Sequence, residues 1–222
     1  MNLLAFDTSS TACSVALLLD DEISAQHDIV PLQQAKLILP MLYELLEKNK
    51  IKLNQIDAIG FGRGPGSFTG VRIAASLAQG LGFALNCPLI PVSSLAALAQ
   101  AAYEDLGWKK CLAVVDARIN EVYCGAYAAD PGGLVRLVGA EAVLPPSLVP
   151  SPPEKDWYGV GNGWEIYSAD IPYQPLSCDT TRLPMAKAIL SLAKESYLRR
   201  EWVDAKEALP VYLRDEVAKK MR

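Results

Sequence analysis

The sequence predicts an α/β protein built from two related halves. Short apolar runs alternate with stretches at helical spacing along the 222 residues. Each half opens with an apolar run that ends in aspartate, at Asp7 and at Asp116, followed by a short turn and a second apolar run. No long linker separates the halves, which divide near Gly107. They share a pattern and not letters, so internal duplication is only hinted at.

The elements follow in order. "NLLAFDTSS", "ACSVALLLD" and "EISAQHDIV" read as three successive strands with short polar turns. "AKLILPMLYELLEKN" reads as a helix, because Ala35, Ile38, Leu39, Leu42, Leu45 and Leu46 form one stripe at helical spacing. Leu37 and Met41 add a second flank, so the apolar arc is wider than one core face needs. Pro40 should start or kink this helix. "IDAIGFG" is a strand, and "FTGVRIAASLAQGLGFAL" is a helix rich in small residues. Glycine inside a helix costs roughly 1 kcal/mol relative to alanine. Its three glycines therefore want a reason, either close approach of another helix or a tight contact with the chain's own sheet. "CPLIPVSS" is a strand, and Ser93 or Ser94 caps the helix "LAALAQAAYEDLG". In the second half "KKCLAVVDAR" and "EVYCGAYAAD" are strands. "PPSLVPSPPEKD" is a surface loop, since five prolines in nine residues break regular structure. "WYGVGNGW" is a strand with a glycine turn, "MAKAILSLAKESYLRREW" is a late helix, and "LPVYLRDEVAK" closes the chain.

Composition narrows the function. A hydrophobic content of 51% with 21% charged residues suits a soluble globular chain. The net charge of −4 gives no general attraction to a phosphate backbone. If the protein works on nucleic acid, a partner supplies the positive surface; the small basic tail "AKKMR" reads as a solvated terminus. The N-terminus lacks a basic lead-in and its apolar run is broken by Asp7, so no signal peptide is expected, and no run of about twenty apolar residues suggests a membrane span. Cys13, Cys87, Cys111, Cys124 and Cys178 form no C-x-x-C pair and read as reduced thiols of a cytoplasmic protein. The single histidine, His27, rules out a multi-histidine metal site and leaves a histidine-based triad only one residue to use. H-E-x-x-H and G-x-S-x-G are both absent, so nothing supports peptide hydrolysis.

The stretch "GRGPGSFTGVR" at 62–72 is the most unusual in the chain. A phosphate loop needs two glycines flanking four residues and then Lys-Ser/Thr, yet no lysine follows these glycines. The dinucleotide pattern fails too, with Ser67 or Thr69 where the last glycine should stand. Ser67 or Thr69 capping a helix leaves an anion site and a plain glycine turn as open alternatives.

Together with "AFDTSSTACSVALL", "PVSSLAALAQ", "VVDARINEVYCGAY", "GVGNGW" and "PVYLRDEVAKK", this stretch resembles the TsaB (YeaZ) family of the bacterial threonylcarbamoyladenosine tRNA modification system, in the family's order and over nearly the whole chain. The resemblance implies an actin-like ATPase superfamily fold (that of sugar kinases and Hsp70) with two similar α/β lobes, 1–106 and 107–204, and with 205–222 packed back on the first. In catalytic relatives the two aspartate turns face each other around a metal-nucleotide. Asp7, Thr8, Ser9, Asp116, Gly161 and Gly163 are the corresponding residues here, either holding Mg–ATP or, in a degenerate member, merely capping strand ends. "PLQQAKLILP" carries Gln34 and no histidine, and amide is a poor metal ligand beside imidazole, so no metal or other cofactor is expected.

The resemblance further implies a non-catalytic subunit that pairs with a TsaD-type protein through its first two long helices. Leu37, Met41 and Leu45 on one, and Gly70, Val71, Ala74, Ala75 and Ala78 on the other, are the candidate contacts. Gly62, Arg63, Gly64, Pro65, Gly66 and Ser67 then form a structural loop that starts the second helix. A TsaE-type ATPase joins the complex, tRNA is met only through it, no membrane is involved, and a homodimer through the same helices forms when the chain is alone. The competing reading is a free-standing ATP-dependent enzyme using Asp7 and Asp116.

Overall fold

The computed structural model describes residues 1–152 and 154–214. The first half holds strands β1 (Asn2–Asp7), β2 (Ala12–Leu19), β3 (Glu22–Ile29), β4 (Ala58–Gly64) and β5 (Leu89–Ser93), with helices α1 (Gln34–Lys48), α2 (Phe68–Leu85) and α3 (Ser94–Leu106). The second holds β6 (Lys110–Arg118), β7 (Glu121–Ala129), β8 (Val135–Leu144), β9 (Tyr158–Val160) and β10 (Cys178–Asp179), with α4 (Gly163–Tyr167) and α5 (Ala186–Leu198).

Both sheets have the same topology. The first runs β3-β2-β1-β4-β5 and the second β8-β7-β6-β9-β10. In each, the opening three strands form an antiparallel meander and the last two add in parallel. The related halves are thus present in backbone, although their letters differ. β8, α4 and β10 carried no clear signal in the sequence.

The layers follow from strand alternation. Leu4, Phe6, Val15, Leu17, Ile59 and Phe61 face one side of the first sheet, where α1 and α2 cover them. Leu3, Ala5, Ala16 and Leu18 face the other side, where Ala186, Ile189, Leu190 and Ala193 of α5 close the layer. α3, although it ends the first half, lays Leu95, Leu98, Ala99 and Ala102 on the second sheet. The last helix of each half therefore covers the sheet of the other, and a division at 106/107 crosses two cores. Polar ties fix the exchange: the Ala186 amide donates to Ser14 Oγ at 3.0 Å, and the Val135 amide donates to Gln100 Oε1 at 2.9 Å.

The chain then returns to the first half. The Leu89 amide donates to the Val203 carbonyl at 3.1 Å, Ala208 is buried beside α2, and the Val211 amide donates to the Arg63 carbonyl at 2.9 Å. Residues 215–222, which include the end of "LPVYLRDEVAK" and the basic tail, lie outside the described residues.

Two helix readings change. Pro40 neither starts nor ends α1 but lies within it. Met41, read as part of a second flank, and Leu45, taken as a partner contact, are buried with Ile38, Leu42 and Leu46 in the chain's own core, at 5% and 2% exposure. These five fall at i, i+3, i+4, i+7 and i+8, the spacing of a single core-facing stripe. α2 is long and apolar enough to cross a bilayer by length and composition. Its Val71, Ala74, Ala75 and Ala78 are nevertheless buried against the first sheet, as in the core helix of a globular domain.

Candidate functional site

The β1–β2 turn and the glycine loop form one interlocked unit. Asp7 is fully buried, and both of its carboxylate oxygens accept from Ser9, Oδ1 from the amide at 2.9 Å and from Oγ at 2.8 Å, Oδ2 from Oγ at 3.0 Å. Gly62 lies directly against it, for a Cβ there would come within 1.8 Å of Asp7 Oδ2. Thr8 donates its hydroxyl to the Gly70 carbonyl at 2.7 Å, and a Cβ on Gly70 would meet the Thr8 carbonyl at 1.9 Å. The Ser67 amide donates to the Ser9 carbonyl at 2.7 Å, and a Cβ on Gly66 would sit 2.4 Å from that same oxygen. Ser67 Oγ accepts from the Gly70 amide and caps α2. Gly64, at φ +97°, turns the chain, and Pro65 follows it. Three glycines thus clear space for backbone and carboxylate, which a phosphate-binding reading does not require.

Burial pushes the Asp7 carboxyl up to about 6, the Ser9 hydrogen bonds opposing part of the shift. A carboxylate with no exposed surface and its oxygens turned to its own turn cannot reach a ligand outside. Among the described residues no group of three histidine, cysteine or acidic side chains is placed to hold a metal ion.

Asp116 is also engaged. Its Oδ1 accepts from the Arg118 amide at 2.9 Å and from the Tyr167 hydroxyl at 3.1 Å, while Arg118 pairs with Oδ2 at 3.2 Å. The Asp116 amide donates to Asn162 Oδ1 at 3.0 Å. Gly161, at φ +106°, and Gly163 press on β6, where a Cβ would meet the Val114 carbonyl at 2.4 Å and the Val114 Cγ1 at 2.6 Å respectively.

A cleft of about 750 Å³ separates the halves. Ser9, Gly66 and Ser67 border it from the first half and Asp116 and Asn162 from the second, whereas Asp7, Thr8, Gly161 and Gly163 do not line it. Sequence reading expected the final segment to pack back on the first half but did not place Asn162, Ser94 or that segment's Val211, Tyr212 and Arg214 at this cleft, which all five line. Arg214 donates to the Ala117 carbonyl at 3.1 Å and pairs with Glu121 across the gap.

The second candidate surface is the outer side of α1 and α2. Met41, Leu45, Gly70, Val71, Ala74, Ala75 and Ala78 are buried inside the chain, and Leu37 is half-buried. The large apolar side chains exposed on these helices are Leu39, Tyr43, Phe68 and Phe83, the last at 85% exposure. Helical spacing identifies an apolar arc without saying which edge of it meets the sheet.

A family model described as TsaD, tRNA N6-adenosine threonylcarbamoyltransferase, matches residues 28–221. The tRNA threonylcarbamoyladenosine biosynthesis protein TsaB of Haemophilus influenzae is 40% identical over 225 residues, covering 98% of this chain and 95% of that one. This chain belongs to the TsaB family. TsaB of Escherichia coli is 38% identical over 98% of this chain and 96% of its own length. The structure titled "YeaZ from Pseudomonas aeruginosa" superposes with a TM-score of 0.93 at 48% identity, over 96% of this chain and 99% of that one. The paired five-stranded sheets are those of the actin-like ATPase fold. The TsaB relatives carry their name from tRNA threonylcarbamoyladenosine biosynthesis, and this chain is a protein of that pathway.

Proposed function

We propose that this TsaB-family chain is a non-catalytic subunit. It pairs with a TsaD-type protein through the outer face of α1 and α2. With a TsaE-type ATPase it supports transfer of threonylcarbamoyl to the adenosine beside the anticodon in tRNAs that read ANN codons, in the cytoplasm. The sealing of Asp7 carries this reading. The carboxylate that a metal-nucleotide would need is buried under Gly62 and bound by Ser9, and Asp116 is held by Arg118 and Tyr167. A free-standing ATP-dependent enzyme would need both groups open to the cleft.

The exposed apolar side chains of α1 and α2 support the pairing surface, since Tyr43 and Phe83 are large, outward and unburied in the isolated chain. Tyr43→Asp and Phe83→Asp test it by titration against the TsaD-type protein of the same organism. Each should weaken binding by at least about tenfold, equivalent to about 1.4 kcal/mol, with an unchanged melting temperature. Unaltered affinity for both variants would refute the surface. Met41→Ala and Leu45→Ala do not serve this purpose, because both residues are in the core and their truncation tests folding.

A further inference from the structure

The two halves are joined firmly on one side of the cleft. There the exchanged helices α3 and α5 pack on each other. Arg182, just before α5, donates to the Ala101 carbonyl of α3 at 3.1 Å and pairs with Asp105 at 2.6 Å. The buried hydrogen bonds from the Ala186 amide to Ser14 and from the Val135 amide to Gln100 involve the same two helices. Leu95 and Leu98 of α3 and Leu183 and Pro184 ahead of α5 line the cleft, so this joint forms its base.

Elsewhere on its rim the cleft is crossed by the returning segment. Ala208 is the last residue of that segment in an apolar core. Among the described residues, none of 209–214 packs into the cores of either half. This stretch forms neither helix nor strand, and Leu209 and Tyr212 are 59% and 45% exposed.

Three contacts hold it. The Val211 amide donates to the Arg63 carbonyl at 2.9 Å, beside Gly64, where a Cβ would come within 3.2 Å of the Val211 carbonyl oxygen. The Tyr212 ring lies 6.4 Å from that of Phe68, with the Arg72 guanidinium 3.2 Å from the Phe68 centre and 5.0 Å from the Tyr212 centre. Arg214 reaches the second half, donating to the Ala117 carbonyl at 3.1 Å and pairing with Glu121. Two contacts are thus made to the first half and one, a charge-assisted pair, to the β6–β7 hairpin. A segment held at a few points, with little apolar surface buried, opens at a smaller cost than the whole fold.

We propose that residues 209–214 are a releasable strap. Closed, its Arg214 fixes the spacing of the two halves across the cleft. Released from Ala117 and Glu121, it lets the halves move apart about the α3–α5 joint while both cores stay intact. The device belongs to the chain alone and is independent of pairing with a TsaD-type protein.

Pulsed electron paramagnetic resonance on the full chain tests this, with spin labels at Leu32→Cys in the first half and Glu165→Cys in the second, both exposed positions. The half-buried Cys87 and exposed Cys178 are replaced by alanine and serine so that they take no label. The parent should give one narrow distance. Arg214→Ala and Glu121→Gln should each add a longer one, raising the ratio of open to closed about tenfold or more, because a hydrogen bond to a charged group is lost. Exchanging the charges, with Arg214→Glu and Glu121→Arg together, should restore the narrow distance. Hydrogen exchange on the unlabelled chain supplies a local readout. In Arg214→Ala the Val211 amide should exchange about tenfold faster, while the Leu89 amide, bonded to Val203 outside the strap, keeps its rate. A parent distance already broad, single variants as narrow as the parent, an exchanged pair as open as Arg214→Ala, or an unchanged Val211 rate would each overturn the inference.

Discussion

The two halves share a strand order and differ in what covers one face of it. Over the first sheet that cover is two long helices, α1 and α2, whose outer sides carry Leu39, Tyr43 and Phe83. Over the corresponding face of the second it is the proline-rich segment, the five-residue α4 and three buried aromatics, Trp157, Trp164 and Tyr173. A sheet face can be closed either way, because burial of apolar area is non-directional. Only the helical cover offers a long regular surface to another chain. On the proposed function, the same topology yields a partner-facing half and a self-contained half.

The sharpest way to break this comparison is to disturb the interlocked turn of the first half. Gly70→Ala puts a Cβ 1.9 Å from the Thr8 carbonyl, where neither backbone can yield. The loss should be on the order of 4 kcal/mol or more, seen as failure to fold or a collapsed melting temperature. In the second half, Trp164→Ala removes a 2%-exposed ring and the hydrogen bond from its Nε1 to the Leu112 carbonyl, 3.0 Å away. Denaturant titration should register about 3–5 kcal/mol. If pairing runs through α1 and α2 as proposed, any folded fraction should keep its affinity for the TsaD-type protein; a weakened pairing would undo the division of roles.

Asp7→Asn is the next effect in size. The folded pKa of Asp7, about 6, lies above its ordinary value of 3.8, so the unfolded chain loses this proton first as pH rises. Stability from this group should therefore fall between about pH 4 and 6 and level off above, a change of roughly 3 kcal/mol at most. The asparagine variant should lose that slope and be at least as stable as wild type at pH 7. An unchanged slope in chemical denaturation across that range would show that Asp7 is not buried as described. The smallest effect has the opposite sign. Gly80 is exposed on α2 with nothing within 4 Å of an added Cβ, so Gly80→Ala should stabilise by about 1 kcal/mol. Gly70 and Gly80, on one helix, thus separate a glycine needed for approach from one that is not.

Much of the fold was legible. Alternating apolar runs located the meander of each half, and the aspartate that ends β1 and the one in β6 marked the related starts. The sense of α1 was not legible, because Leu37, Leu39 and Met41 extend the arc on both edges and only the sheet decides which edge it covers. Nor was the exchange of α3 and α5, since nothing local distinguishes the sheet a helix follows from the one it packs on. β8 was missed because its edge position leaves "VRLVGAEAVL" largely exposed, without the apolar–polar alternation of a half-buried strand. The glycines of 62–70 announced close approach; that they approach a buried carboxylate and the backbone of Thr8 and Ser9 is a tertiary fact.

The most direct test is threonylcarbamoyl transfer to tRNA in a mixture of the same organism's TsaD-type protein, TsaE-type ATPase and adenylate-forming enzyme, with and without this chain. The account predicts product only when the chain is present, and equally with the Asp7→Asn, Asp116→Asn double variant. Full transfer without the chain, or transfer abolished by the double variant while pairing persists, would contradict it.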